Sequence, residues 1–172
     1  MFVIMRPANS QENEYASLAV FPQPAQITLL SENQWQPNIR WVIRGKDFKL
    51  TQRQLLDFFQ AEQLHVQSKA QVAFEQAVKV VVFSADAQLK PEQYRIEIND
   101  HVQIFASSEP GAFYASQTLK QLLQQQLLPK TIINDWPQYQ WRGSMIDVAR
   151  HFRSIEYLKK HIDRMALFKL NK

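Results

Sequence analysis

The sequence predicts an α+β fold: an antiparallel or mixed sheet carrying two helices on one face, followed by one further β-α unit. Three observations lead there. Short strand-like runs, such as Val78–Phe83, are interleaved with two segments of helical period. Two alternating runs, Tyr94–Ile98 and Val102–Ala106, are separated by a turn that only an antiparallel pair can use. The elements up to residue 128 therefore read β-β-α-β-β-β-α, an order that suits a sheet with its helices gathered on one side.

Each element has a local reason. Residues 1–17 read as a flexible tail: the first five residues are apolar, and the rest is mostly polar. That stretch lacks the basic start and long apolar core of a secretory signal. Val20–Leu30 begins with Pro22 and Pro24 and becomes strand-like from Gln26. Prolines cannot donate to a ladder, so this is a lead-in segment or an edge strand. Ile39–Arg44 reads as a strand ending at Gly45. Thr51 followed by Gln54 has the pattern of a capping box, and Leu55, Leu56, Phe58, Phe59 and Leu64 give an apolar face, so a helix is expected over 52–65. Val78–Phe83 is β-branched and reads as a central strand.

The hairpin register can be argued. A three-residue turn, Asn99-Asp100-His101, sets Ile98 opposite Val102 and puts both apolar sets on one face; a two-residue turn would put them on opposite faces. His101 then lies in a solvated turn. Ser107-Ser108-Glu109-Pro110 opens a helix whose apolar positions are Ala112, Ala115, Leu119, Leu122 and Leu123, and which stops before Pro129. Residues 129–141 read as a linker, in which Trp136, Tyr139 and Trp141 are expected to pack at a domain joint rather than form a sugar platform. Residues 142–148 read as a buried strand. Ser154 caps a helix with Ile155, Leu158, Ile162, Met165 and Ala166 on one face, Glu156 in its first turn and Lys169 in its last.

Composition narrows the function classes. The chain has 172 residues, 45% hydrophobic and 21% charged, which is ordinary for a globular protein of one or two domains. Without cysteine it has no disulfide framework, thiolate metal site or thiol nucleophile. The +4 charge comes from scattered basic residues, so no nucleic-acid partner is expected. No apolar run approaches the roughly 18 residues of a membrane span, so no membrane partner is expected either. No metal or other cofactor is expected. The compartment stays open between periplasm, exterior and cytoplasm.

Functional residues concentrate in Trp141–Phe152 (WRGSMIDVARHF), where Arg142, Asp147, Arg150 and His151 stand beside Met145, Ile146 and Val148. Ionic groups next to a buried strand are costly unless paired, so the stretch is either a satisfied structural network or part of a site. Ser144 has no flanking nucleophile-elbow glycines, and His161 has no metal-ligand spacing to His151.

This stretch resembles the first barrel strand of the family-20 glycoside hydrolases, the β-N-acetylhexosaminidases. The matching residues are Arg142, Gly143, Ile146, Asp147, Val148, Ala149, Arg150, His151 and Phe152, followed by Lys169, Leu170 and Asn171 at the end of the next helix. Pro110–Leu123 (PGAFYASQTLKQLL) is similar to the helix of that family's N-terminal domain, and Ile133-Asn134-Asp135-Trp136-Pro137 to its connector. After the tail over 1–17, the resemblance implies the N-terminal α+β domain over 18–135 and, over 136–172, a linker with the first unit of an incomplete TIM barrel.

The resemblance also implies an activity: hydrolysis of terminal N-acetyl-D-hexosamine from β-N-acetylhexosaminides, chitin fragments among them, by substrate-assisted retaining catalysis. There the sugar's acetamido oxygen attacks the anomeric carbon, an Asp orients it and a neighbouring Glu protonates the leaving oxygen. In the family that Asp-Glu pair and a His-Trp-His segment lie on later strands, so no catalytic residue is expected within these 172 and the chain alone is expected to be inactive. Arg142 is implied to face the sugar, because a guanidinium can hold two adjacent hydroxyls; the residues alone leave open an ion pair with a carboxylate at the joint. Asp147, Arg150 and His151 either support the site as a structural network or touch substrate. The other functional reading is a non-catalytic scaffold or a carbohydrate- or partner-binding module. Since the helix after Ser154 lacks the strands it would pack on, residues 142–172 are expected to fold back on the preceding domain or to self-associate.

Overall fold

The computed structural model describes residues 18–33, 39–64 and 78–172; the expected tail, residues 1–17, lies outside them, as does residue 65 of the first expected helix. In chain order the elements are β1 (Gln26–Asn33), β2 (Arg40–Gly45), α1 (Lys49–Ala61), β3 (Val78–Ala85), β4 (Tyr94–Ile98), β5 (Val102–Ala106), α2 (Glu109–Gln124), β6 (Pro129–Asp135) and α3 (Ile155–Leu167). The strands form one six-stranded sheet in the order β1-β6-β4-β5-β3-β2. It is mixed: β2 and β5 run parallel to β3, whereas β4 pairs antiparallel with β5 and β6, and β1 with β6. The strand β1, which follows the proline-led segment, is an edge strand.

The hairpin has the argued register. Ile98 lies opposite Val102, the Asn99 N–H donates to the His101 carbonyl at 2.9 Å, and His101 is exposed. Tyr94, Ile96 and Ile98 therefore share one face with Val102, Ile104 and Ala106, all buried. Helix α2 covers that face with Ala112, Ala115, Leu119 and Leu122. Its start is the expected one: the Ser108 hydroxyl accepts from the Gly111 N–H, and Pro110 occupies the first turn. Helix α1 packs beside α2 and sets Leu55 and Phe59 against Trp41 of β2, with the Trp41 and Phe59 ring centroids 5.3 Å apart. Each large side chain buried this way stabilises the fold by about 1.5–3 kcal/mol.

The structure corrects the sequence reading in four places. Residues 129–135 are not linker but β6, inserted between β1 and β4. Its inward positions are Pro129, Thr131, Ile133 and Asp135, so polar residues occupy a buried face and hide the alternation. Helix α1 begins at Lys49, behind Phe48 at φ 56°, and Thr51 lies inside it. Instead of forming a capping box, Thr51 gives its N–H and its hydroxyl to the Glu109 carboxylate, both at 2.7 Å. One acid in the first turn of α2 thus also serves the first turn of α1, where the helix dipole favours it.

The third correction concerns residues 142–148, which join no ladder and are not buried: Met145 is 95% exposed and Val148 52%. A barrel strand is held by neighbours on both sides, and among the described residues it has none. Finally, Lys169 is not in the last turn of α3. That helix is capped by the Ser154 hydroxyl, which accepts from the Tyr157 N–H at 3.2 Å, and it ends at Leu167. As expected, its apolar stripe is short of partners, with Ile155 67% and Ile162 62% exposed.

Candidate functional site

Residues 139–172 lie against the sheet domain along one joint, and the charged residues of the joint line an open cleft. Its walls come from Pro22 and Ala25 ahead of β1, the turn before β4, Tyr114 of α2, the end of β6, and Phe168 behind α3. Two ion pairs make its floor.

The first pair centres on Arg142. Its Nη2 donates to Glu92 Oε1 at 2.9 Å and to the Tyr114 hydroxyl at 3.2 Å; its Nη1 donates to the Tyr139 carbonyl at 2.7 Å and to Glu92 Oε2 at 3.4 Å; its Nε donates to the Lys169 carbonyl at 2.9 Å. Every nitrogen of the guanidinium has a protein acceptor. Burial alone would raise the Glu92 carboxyl, but hydrogen bonds from Arg142 and Tyr114, the Arg142 charge and the Asn171 amide outweigh it and hold the group below the usual carboxylate range. Burial and the Glu92 carboxylate together push the Tyr114 hydroxyl upward.

The second pair is Lys169 with Asp135. Lys169 is only 6% exposed; its ammonium donates to Asp135 Oδ2 and to the Tyr94 hydroxyl, each at 2.8 Å. The Tyr94 hydroxyl donates to Asp135 Oδ2 at 2.8 Å and shares a 2.6 Å hydrogen bond with Thr118. Asp135 Oδ1 accepts the Ala25 N–H at 3.2 Å. Desolvation lowers the Lys169 ammonium from its ordinary range, and the Asp135 charge restores only part of the loss. Burial pushes the Tyr94 phenol well up, and the Asp135 charge adds to that.

The remaining candidates stand apart from this joint. Asp147 accepts from the backbone N–H groups of Ala149 and Arg150 at 2.9 and 3.0 Å, and it pairs with the Arg150 guanidinium, whose side chain is 85% exposed. Asp147 thus sits in a local hydrogen-bonded turn with Arg150. His151 is exposed and lies outside that network. Ser144 Oγ and His161 Nε2 approach to 3.1 Å in solvent. Among the described residues no third group hydrogen-bonds that His, so the contact is read as a surface hydrogen bond rather than a nucleophile with its base. Among the described residues no cluster of three His, Asp or Glu could hold a metal ion, and no helix is long and apolar enough to cross a membrane. The linker aromatics do not pack as expected: Tyr139 and Trp141 are 72% and 76% exposed, and Trp136 is 39% exposed at the cleft.

Sequence reasoning missed Glu92, Tyr94, Tyr114 and Asp135 as members of one constellation. Tyr114, Asp135, Lys169 and Asn171 stand within the family-like motifs, but nothing local to them shows which group each meets. For Glu92 the one available signal was an acid directly after Pro91, at a turn position that glycine usually fills.

Comparison with known proteins places both halves of the chain. Residues 17–136 match the sequence model described as glycosyl hydrolase family 20, domain 2, and residues 139–172 match that of the family's catalytic domain. A β-hexosaminidase of Porphyromonas gingivalis is 46% identical over 96 residues, covering 49% of this chain and 12% of that protein. β-Hexosaminidase B of Pseudoalteromonas piscicida is 29% identical over 159 residues, covering 91% of this chain and 20% of that protein. The chain thus spans a fifth or less of these relatives' length. The crystal structure of a family-20 exo-β-N-acetylglucosaminidase from Vibrio harveyi, in complex with N-acetylglucosamine, superposes with a TM-score of 0.72 at 25% identity, over 90% of this chain and 24% of that one.

Proposed function

Because the chain belongs to glycosyl hydrolase family 20, we propose that it forms the N-terminal part of a β-N-acetylhexosaminidase, cleaving terminal N-acetylhexosamine from β-linked glycans by substrate-assisted catalysis. The observation that carries this reading is the tandem match: domain 2 over 17–136, directly followed by the catalytic domain from 139. We place the division at residues 18–135 for the α+β domain and 136–172 for the connector and the first barrel unit.

Two guanidiniums compete for the sugar. Arg142 has every nitrogen engaged by the joint, which supports the ion-pair role over the sugar role. Arg150 is largely exposed and stands just beyond the C-terminal end of segment 142–148, the end at which barrel enzymes place their reactive side chains. The substrate-binding role therefore passes to Arg150, with Asp147 orienting it and His151 beside it. The catalytic Asp-Glu pair belongs to parts of the enzyme outside these 172 residues.

A chromogenic β-N-acetylglucosaminide tests the assignment. The pure 172-residue chain should give no turnover above a mock preparation, and turnover would place the catalytic groups inside it. Titration with N-acetylglucosamine oligomers, followed by NMR, separates scaffold from binding module: saturable shifts within 20–128 would favour the module. The exposed Met145, Phe152, Ile155 and Ile162 also favour self-association through 142–172, visible as concentration-dependent elution in sizing chromatography.

A further inference from the structure

Two charges of the joint occupy backbone positions where glycine is the unstrained choice. Glu92 has φ 63° and follows Pro91 in a turn closed by the Gln93 N–H on the Lys90 carbonyl at 3.0 Å. Proline second, a positive φ third and that hydrogen bond describe a type II turn, whose third place favours glycine. Lys169 has φ 57° and is the first residue beyond the cap of α3. There the Leu170 N–H bonds to the Met165 carbonyl and the Lys169 N–H to the Ala166 carbonyl, a Schellman ending, in which glycine usually takes the place that Lys169 holds. Both side chains are delivered from these strained positions to partners across the joint, Glu92 to Arg142 and Lys169 to Asp135. Gln63 and Gln126 end α1 and α2 at similar positive φ, so the conformation alone marks no role; what sets Glu92 and Lys169 apart is that the side chain each carries makes an ion pair across the joint.

We propose that Glu92 and Lys169 are positioning residues of a two-point ionic clamp, Glu92–Arg142 and Asp135–Lys169, with which the sheet domain fixes both ends of the first barrel unit. The clamp holds the start of the strand segment through Arg142 and the end of the helix through Lys169. The two points are tied together: Arg142 Nε donates to the Lys169 carbonyl, and the Arg142 carbonyl accepts from the N–H groups of Asn171 at 2.7 Å and Lys172 at 3.1 Å. The side-chain amide of Asn171 closes the ring on Glu92 Oε1 at 3.3 Å. On this view the small domain acts as a template for the barrel, and its contribution to catalysis is to place segment 142–150 before the rest of the barrel closes on it. The inference rests on the proposed function only in naming residues 142–172 a barrel unit.

Glycine separates the backbone from the charge. Glu92→Gly and Lys169→Gly relax the local φ and delete the clamp. Amide exchange of the 172-residue chain should speed up at Ser144, Asn171 and Lys172 by roughly tenfold or more in each, while the amides of β4 and β5 keep their protection. Glu92→Gln and Lys169→Met keep the side-chain length and the strained backbone but lose the charge; they should give the same local acceleration and serve where a glycine variant fails to fold. Glu92→Asp should retain part of the protection that Glu92→Gln loses. Unchanged or slower exchange at those three amides in the glycine variants would overturn the clamp, as would a uniform acceleration across β4 and β5. Exchange reads the clamp whether or not any hexosaminide is cleaved, so its failure and that of the activity reading stay distinguishable.

Discussion

Tyr94→Phe removes one oxygen from the centre of the buried network. That oxygen is within hydrogen-bond distance of Thr118 Oγ1 at 2.6 Å, Asp135 Oδ2 at 2.8 Å and Lys169 Nζ at 2.8 Å, and Tyr94 is 1% exposed. Two of the three hydrogen bonds involve charged partners, worth about 1.5–3 kcal/mol each, and the third is a neutral one worth about 1 kcal/mol. The full sum is not lost, because the Lys169–Asp135 pair survives and the Thr118 hydroxyl can turn to a carbonyl one turn back in α2. The expected cost is therefore about 2–4 kcal/mol, a large fraction of a total stability of roughly 5–15 kcal/mol. Urea denaturation followed by far-ultraviolet circular dichroism measures it. With an unchanged slope of about 2 kcal/mol per molar, the middle of the usual range, the midpoint should fall by roughly 1–2 M. Thr118→Val, which deletes one neutral hydrogen bond, should cost less. A Tyr94→Phe midpoint indistinguishable from that of the parent would refute the claim that this hydroxyl joins α2, β6 and the segment behind α3.

Two further outcomes are expected. The Glu92 carboxyl is held below its ordinary value of 4.5, so between the folded value and 4.5 the unfolded chain binds the extra proton. The stability it contributes is thus present above pH 4.5 and is lost as pH falls through the folded value; the gap between parent and Glu92→Gln in urea midpoints should be constant near neutrality and shrink in acid, and a gap that grows in acid would reverse the sign of the coupling. At Gly111 an added Cβ would lie 2.6 Å from the Gln93 carbonyl and 3.3 Å from Ala106 Cβ. Gly111→Ala should therefore cost about 1–3 kcal/mol through overpacking, in place of the gain of roughly 1 kcal/mol that alanine brings to an unobstructed helix; thermal melts decide between the two signs.

The sequence by itself determined the elements whose causes lie within a few residues. The turn Asn99-Asp100-His101 follows from the face that Ile98 and Val102 must share, and α2 and α3 start where Ser108 and Ser154 can cap them. Pro22 and Pro24 keep the segment ahead of β1 out of the ladder, which begins at Gln26. The motif residues around Arg142 and Arg150 were likewise legible as chemistry, because ionic groups beside an apolar run demand partners.

Which partners those are depends on the folded chain. β6 is a strand because Ile133 lies between Ile27 and Ile96, which are distant in the chain, while its own inward Thr131 and Asp135 conceal the pattern. Thr51 could cap α1 on local grounds, but Glu109, 58 residues away, supplies a carboxylate for its N–H and hydroxyl. Lys169 suits a helix end by charge alone, yet the fold buries its ammonium on Asp135 and Tyr94. Residues 142–148 have the composition of a strand but, among the described residues, no neighbours to pair with. Periodicity and capping act over one turn or one pleat, and a single chain displays them. Pairing of buried charges and of strand edges depends on which surfaces the folded chain brings within about 3 Å of each other, and that is a property of the assembled sheet and helices.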